Sequence, residues 1–170
     1  MIGNDIIDLA QSCKESNWQR KGFIEKLFTN EEQLLIQNYA EPEIMVWLLW
    51  SMKEAAYKIY NRQTKLIAYI PKKLICNIES ENLNSIKGNV TCLGNIYYTE
   101  TLLFKDKIHT VAVSILENLN KVIEIEKSFI YKDNNGLPNH LNKTTNTMMP
   151  VSKSHHGRFE VCVAINYDSK

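Results

Sequence analysis

The hydrophobic pattern changes character near Asn61. Before it, apolar residues recur at helical spacing; after it, β-branched and aromatic residues come in short runs between turn residues. Met1–Leu9 is an apolar run with Asp5 and Asp8 set into it, which predicts a short strand. Ser16–Phe28 carries Trp18, Phe23, Ile24 and Leu27 at helical spacing, interrupted by Gly22. Thr29, with Glu32 three residues on, has the form of a capping box and predicts a helix through Tyr39. Pro42 suits the first position of the next helix, expected from Glu43 to about Tyr60. Ile44, Trp47, Leu48, Met52 and Ala55 mark its buried stripe. Strand-like runs follow at Leu66–Ile70, Leu74–Ile78, Gly88–Tyr98, Ile108–Leu116 and Val122–Tyr131, with breaks at Pro71, Gly94 and Lys105-Asp106-Lys107. Asn134-Asn135-Gly136 and Pro138 signal a turn, Asn139–Met149 reads as a loop or irregular helix, and Glu160–Tyr167 alternates as a final strand. Helices first and an antiparallel-looking sheet afterwards predict an α+β fold, in one domain over residues 1–170.

Composition narrows the class. With 44% hydrophobic and 23% charged residues over 170 positions, the chain has the make-up of one globular domain rather than a disordered one. The longest apolar run, Ile44–Trp50, is seven residues, well short of the ~20 that a bilayer span needs. Asp5 and Asp8 stand where an export signal would be apolar, so a soluble cytoplasmic protein is expected. Cys13, Cys76, Cys92 and Cys162 form no C-x-x-C pair and no zinc spacing, and are expected as reduced thiols.

A formal charge of +1 argues against a dedicated nucleic-acid binder, but its distribution is uneven. Residues 1–50 hold four basic and eight acidic side chains; residues 51–170 hold 16 and 11. Lys53, Lys58, Arg62, Lys65, Lys72 and Lys73 crowd one stretch whose single acid is Glu54. Such a cluster suits an anionic ligand of modest size, or equally a solvated basic face.

Three places carry polar residues that local folding does not require. Asp5 sits inside an apolar strand-like run, where it faces solvent, caps a helix or binds a cation. Glu54 and Lys58, four apart on a helix, would make an ordinary surface ion pair, but Trp50 and Tyr57 on the flanking turns place the group at the rim of a cleft. Lys53 and Lys58 diverge around that helix. Ser152-Lys153-Ser154-His155-His156-Gly157-Arg158 pairs serine with histidine, yet neighbours on an extended chain point to opposite faces, which disfavours a hydrolase triad and a two-histidine metal site. Donors beside a glycine suit phosphate contacts better. Asp5 and Glu54 are hard oxygen ligands, and Mg²⁺ typically takes one or two carboxylates with water and substrate phosphate.

Gly3-x-Asp5-Ile6-x-x-Leu9, Phe28-Thr29-x-x-Glu32, Trp50-Ser51-x-Lys53-Glu54-Ala55-x-x-Lys58 and Ser152-x-Ser154-His155 together resemble the 4′-phosphopantetheinyl transferase superfamily. The Ser-His element comes last, after Gly136-Leu137-Pro138, and that motif order resembles the holo-acyl-carrier-protein synthase type. Residues 79–116 exceed the short form of that type and read as an extra β segment. The resemblance implies helices packed on a mainly antiparallel sheet. It implies Mg²⁺-dependent transfer of the phosphopantetheine arm of coenzyme A to a serine of an apo acyl or peptidyl carrier protein, with release of adenosine 3′,5′-bisphosphate.

By matching positions, Asp5 and Glu54 would hold the metal, and Lys58 would stabilise the phosphate in the transition state. Lys53, Ser154 and His155 would contact coenzyme A, and Glu54 or a metal-bound water would take the serine proton. Leu49 stands where the synthase type often has a phosphate-binding arginine, a role left to Arg62 or Lys65. Ile7 stands where the superfamily's other, two-domain surfactin-synthetase-activating type has a second metal-binding acid, which leaves Asp8 as a local cap or outer-shell group. Lys14, Arg20, Lys21 and Lys26 correspond to carrier-facing basic residues. A non-catalytic coenzyme A or nucleotide-binding module is the alternative, and either a trimer or a monomer is compatible with the family.

Overall fold

A computed structural model describes residues 1–127, 130–133, 136–142 and 146–167. The first strand, β1 (Ile2–Asp8), passes directly into α1 (Leu9–Glu15), because Asp8 turns back and accepts the backbone N–H groups of Ala10 and Gln11. This helix was not expected. The helix expected over residues 16–28 shrinks to α2 (Phe23–Leu27), since Gly22 adopts φ +83° and starts a new turn. α3 (Asn30–Asn38) carries the expected capping box, with both reciprocal bonds between Thr29 and Glu32 present. α4 (Pro42–Thr64) starts on Pro42 and runs one turn beyond Tyr60, where Lys65 caps it in the left-handed conformation.

Two antiparallel sheets follow. The first has the order β1-β5-β4-β3-β2, built from β2 (Ile75–Glu81), β3 (Ser85–Cys92), β4 (Asn95–Leu103), β5 (Lys107–Val113) and the N-terminal strand. The second has the order β6-β10-β9-β8-β7, from β6 (Val122–Glu124), β7 (Ile130–Lys132), β8 (Pro138–Asn142), β9 (Thr147–His156) and β10 (Phe159–Ile165). The architecture is α+β. Leu66–Ile70 is not a strand: Leu66, Ile67 and Tyr69 are exposed and pair with nothing in either sheet. The run Gly88–Tyr98 divides at Gly94 into β3 and β4. The stretch Asn139–Met149, expected as a loop or irregular helix, is strand at residues 139–142 and 147–149, because β8 and β9 pair through His140 and Met149, with Asn146 in a turn at φ +52°. Of the predicted turn, Asn134 and Asn135 lie outside the described residues and Gly136 has φ +75°.

β1 is the hinge of the packing. On one face Ile7 joins the main core, where Met45, Leu48, Leu49, Met52 and Ile59 of α4 pack on the first sheet. On the other face Ile2 and Ile6 pack with Val113, Leu119, Val161, Val163 and Ile165 in a second core between the sheets. Alternation of side chains along a strand sends odd and even residues to these two faces. All four cysteine thiols are unpaired, with Cys13 exposed and the other three buried. Among the described residues no helix is long and apolar enough to cross a membrane.

Candidate active site

The site forms where β1 lies across α4. Gly3 permits this approach: a Cβ there would sit 2.0 Å from the carbonyl oxygen of Ala55. The glycine of the first motif and the alanine of the Lys-Glu-Ala block are therefore in contact. Two residues on, Asp5 faces the same helix. Its Oδ1 lies 3.4 Å from Lys58 Nζ, which also donates to the Asn4 carbonyl at 2.6 Å. Ser51 of α4 donates to the Asp5 carbonyl at 3.5 Å. Lys58 is thus paired with Asp5 across the strand–helix junction, rather than in the expected helical pair with Glu54.

Glu54 is close enough to feel Asp5. Burial, reinforced by the Asp5 charge and opposed by Lys58, pushes its carboxyl up to about 7. Burial raises Asp5 as well, against the pull of Lys58 and the hydrogen bond from Ser154. Both carboxylates line a cleft of about 230 Å³ with Trp47, Trp50, His155 and His156. A larger groove of about 560 Å³ adjoins it across Trp47 and Trp50, lined in part by Arg20, Lys21, Phe23, Lys26 and Tyr69.

The second sheet reaches the site through β9. Ser152, Ser154 and His156 alternate along that strand and meet alternate N–H groups of β1. Asn4 N–H donates to Ser152 Oγ at 2.8 Å, Ile6 N–H to Ser154 Oγ at 3.1 Å, and Asp8 N–H to His156 Nδ1 at 2.9 Å. Because Nδ1 accepts, the proton of His156 sits on Nε2 and donates to Glu15 at 3.2 Å. Ser154 also donates to Asp5 Oδ1 at 3.0 Å. His155, which alternation sends to the opposite side of β9, is exposed on the cleft.

Other residues expected at the site have partners within the protein. Lys53 does not reach the cleft as a phosphate ligand. It is 1% exposed, and its ammonium is saturated by Glu32 at 2.8 Å, the Pro71 carbonyl at 2.9 Å and the Leu74 carbonyl. Glu32 in turn caps Thr29 N–H and accepts from Cys76 N–H, so this pair ties α3, α4 and β2 together. Arg62 donates through Nη2 to the carbonyls of Pro138 and Val151, at 3.1 and 2.8 Å, and anchors the second sheet. Ser154 accepts from Ile6 N–H and donates to Asp5 Oδ1. Gly157, at φ +53°, makes room for Asp8 and not for a phosphate, since a Cβ would lie 2.5 Å from Asp8 Oδ2. Asp8 is the local cap that was expected, and it also receives Nε and Nη2 of Arg158 at 2.8 and 2.9 Å. The Arg158 guanidinium and backbone N–H hold its carboxyl well below the usual range.

The donor set fits a small hard dication. Asp5 and Glu54 are two desolvated carboxylates on one cleft: burial raises both, the Asp5 charge raises Glu54 further, and a dication offsets these costs of ionisation. Among the described residues no cluster of three or more His, Cys, Asp and Glu side chains forms. The site therefore offers two protein ligands, with the remaining positions left to water and substrate, as Mg²⁺ prefers.

Helices seated on an antiparallel sheet, with paired carboxylates and a lysine at the strand–helix junction, define a candidate site for handling a charged phosphate group. A sequence model of the 4′-phosphopantetheinyl transferase superfamily matches residues 1–115, and the chain belongs to that superfamily. Membership carries the general activity, transfer of a phosphopantetheine group, and implies coenzyme A and a carrier protein as partners. The match ends just after β5, so Ser154 and His155 lie beyond it. A search of curated proteins finds no match.

Proposed function

We propose that the protein is a Mg²⁺-dependent transferase that moves the 4′-phosphopantetheine arm of coenzyme A to a serine hydroxyl of an apo carrier protein. The observation that carries this reading is the meeting of Asp5 and Glu54, from β1 and α4, on one cleft beside His155. Asp5 and Glu54 are the residues that would hold Mg²⁺, which when bound supplies charge against the pyrophosphate of coenzyme A.

The chain's own groups do the rest by position and charge. Lys58, tethered by the Asn4 carbonyl and partly exposed, offers an ammonium to the phosphoryl oxygens as charge shifts to the leaving group. His155 on the cleft wall is the contact for a coenzyme A phosphate. Arg20, Lys21 and Lys26 line the adjoining groove and supply the basic surface for an acidic carrier. The serine hydroxyl gives its proton to Glu54 or to water in the cleft as its oxygen bonds to phosphorus, the pyrophosphate link breaks, and adenosine 3′,5′-bisphosphate leaves. Motif order supports the holo-acyl-carrier-protein synthase type, with a fatty-acid carrier as the first substrate to try.

The test follows the leaving group. Incubation with coenzyme A, Mg²⁺ and apo carrier proteins of the fatty-acid, polyketide and peptide-synthetase classes should release adenosine 3′,5′-bisphosphate, detected chromatographically. Release that needs the carrier and stops with EDTA supports the proposal; none with any carrier contradicts it.

A further inference from the structure

We infer that Ser154 is a positioning residue for Asp5: a hydroxyl from the second sheet, contributing no ligand itself, that fixes the carboxylate at which the cation is held. The inference rests on the cation reading above. Among the described residues β1 is an edge strand of the first sheet, paired with β5 alone, so its outward N–H groups at Asn4, Ile6 and Asp8 need partners. Ser152, Ser154 and His156 of β9 provide one each.

Ser154 differs from its neighbours in this ladder. A serine has one proton, and Ile6 N–H already donates to its oxygen. Its own O–H is therefore free to donate, and it does so to Asp5 Oδ1 at 3.0 Å. The side chain is 6% exposed, so water does not compete freely for either bond. One residue thus fixes the backbone at Ile6 and the carboxylate at Asp5 together. Ser152, at 4% exposure, satisfies Asn4 N–H in the same manner and, among the described residues, makes no hydrogen bond to Asp5. It is a built-in control for the structural part of the role.

Outer-shell partners that orient a ligand typically change metal affinity ~10–100-fold when removed. The experiment titrates Mn²⁺ into the full chain and reads free ion by EPR, with unfolding temperature measured in parallel. Wild type should bind saturably, in competition with Mg²⁺. Ser154→Ala should bind ~10–100-fold more weakly, whereas Ser152→Ala should lose comparable thermal stability yet bind as wild type does. Ser154→Thr, which keeps the hydroxyl, should restore affinity. Ser154→Cys fills the same space with a weak donor; it should bind weakly and covers the case in which the alanine variant does not fold.

Each contrary outcome is distinct. A wild type that binds no Mn²⁺ overturns the cation reading and the positioning role with it. A binding wild type matched by the alanine or cysteine variant overturns the positioning role alone. Equal loss of affinity in Ser152→Ala reduces the ladder to a structural clamp and overturns it too.

Discussion

Gly3 rests on the backbone of Ala55 so closely that a methyl group would lie 2.0 Å from its carbonyl oxygen and 3.2 Å from Ile59 Cγ1. The obstacle is helix backbone, which cannot rotate away as a side chain could. This contact sets the distance from β1 to α4, and so from Asp5 to Glu54. Gly3→Ala should lower stability by about 3 kcal/mol, at the upper end for overpacking, and should weaken cation binding in whatever remains folded. Urea unfolding checks the first effect; an unchanged midpoint would contradict the packing account.

Lys53 and Glu32 form a buried pair, 1% and 2% exposed, with every contact internal. Lys53→Ala strands a buried carboxylate and should cost about 3–5 kcal/mol, read by urea unfolding. In folded enzyme the KM for coenzyme A should stay as in wild type. Full stability with a large loss of coenzyme A affinity would return Lys53 to the binding site.

Glu54 gives the metal-free protein a distinctive pH response. Its carboxyl titrates at about 7 when folded, against roughly 4.3 in an unfolded chain. Between those values the folded state holds a proton that the unfolded state has released, so this group's contribution falls as pH rises. His109, held down to about 4 by burial, acts in the opposite sense over much of the same window. The measurement is therefore a difference: Glu54→Gln should gain stability over wild type as pH rises from 4.5 to 7, by on the order of 2 kcal/mol. Parallel stability–pH curves for the two proteins would contradict the buried-carboxylate assignment.

Much of this was legible in residue patterns, and the failures have physical reasons. The Thr29–Glu32 box and Pro42 are local signals, and both helices start as they predict. α1 escaped notice because it is seven residues long and owes its start to Asp8, a side chain in the preceding strand. Leu66–Ile70 has strand-like residues but pairs with no strand among the described residues, and pairing is what a strand requires. At the site, Asp5, Glu54 and Lys58 were marked by charge in apolar surroundings. Lys53 misled, because its partner Glu32 lies 21 residues away and its burial depends on how α3 packs. The role of Ser154 depends on an Asp5 that is 149 residues distant. The period-two spacing of Ser152, Ser154 and His156 was the available hint, since it matches the period of exposed N–H groups on an edge strand.

The central claim is that Asp5 and Glu54 form one cation site serving phosphopantetheine transfer, and intact-mass analysis of the carrier tests it most directly. Wild type, Asp5→Asn and Glu54→Gln would each be incubated with coenzyme A, Mg²⁺ and an apo carrier protein, with circular dichroism confirming that all three are folded. The account predicts a carrier heavier by one phosphopantetheine group with wild type and Mg²⁺, and an unmodified carrier with either variant or with EDTA. Full modification by both folded variants, or by wild type stripped of metal, would contradict it.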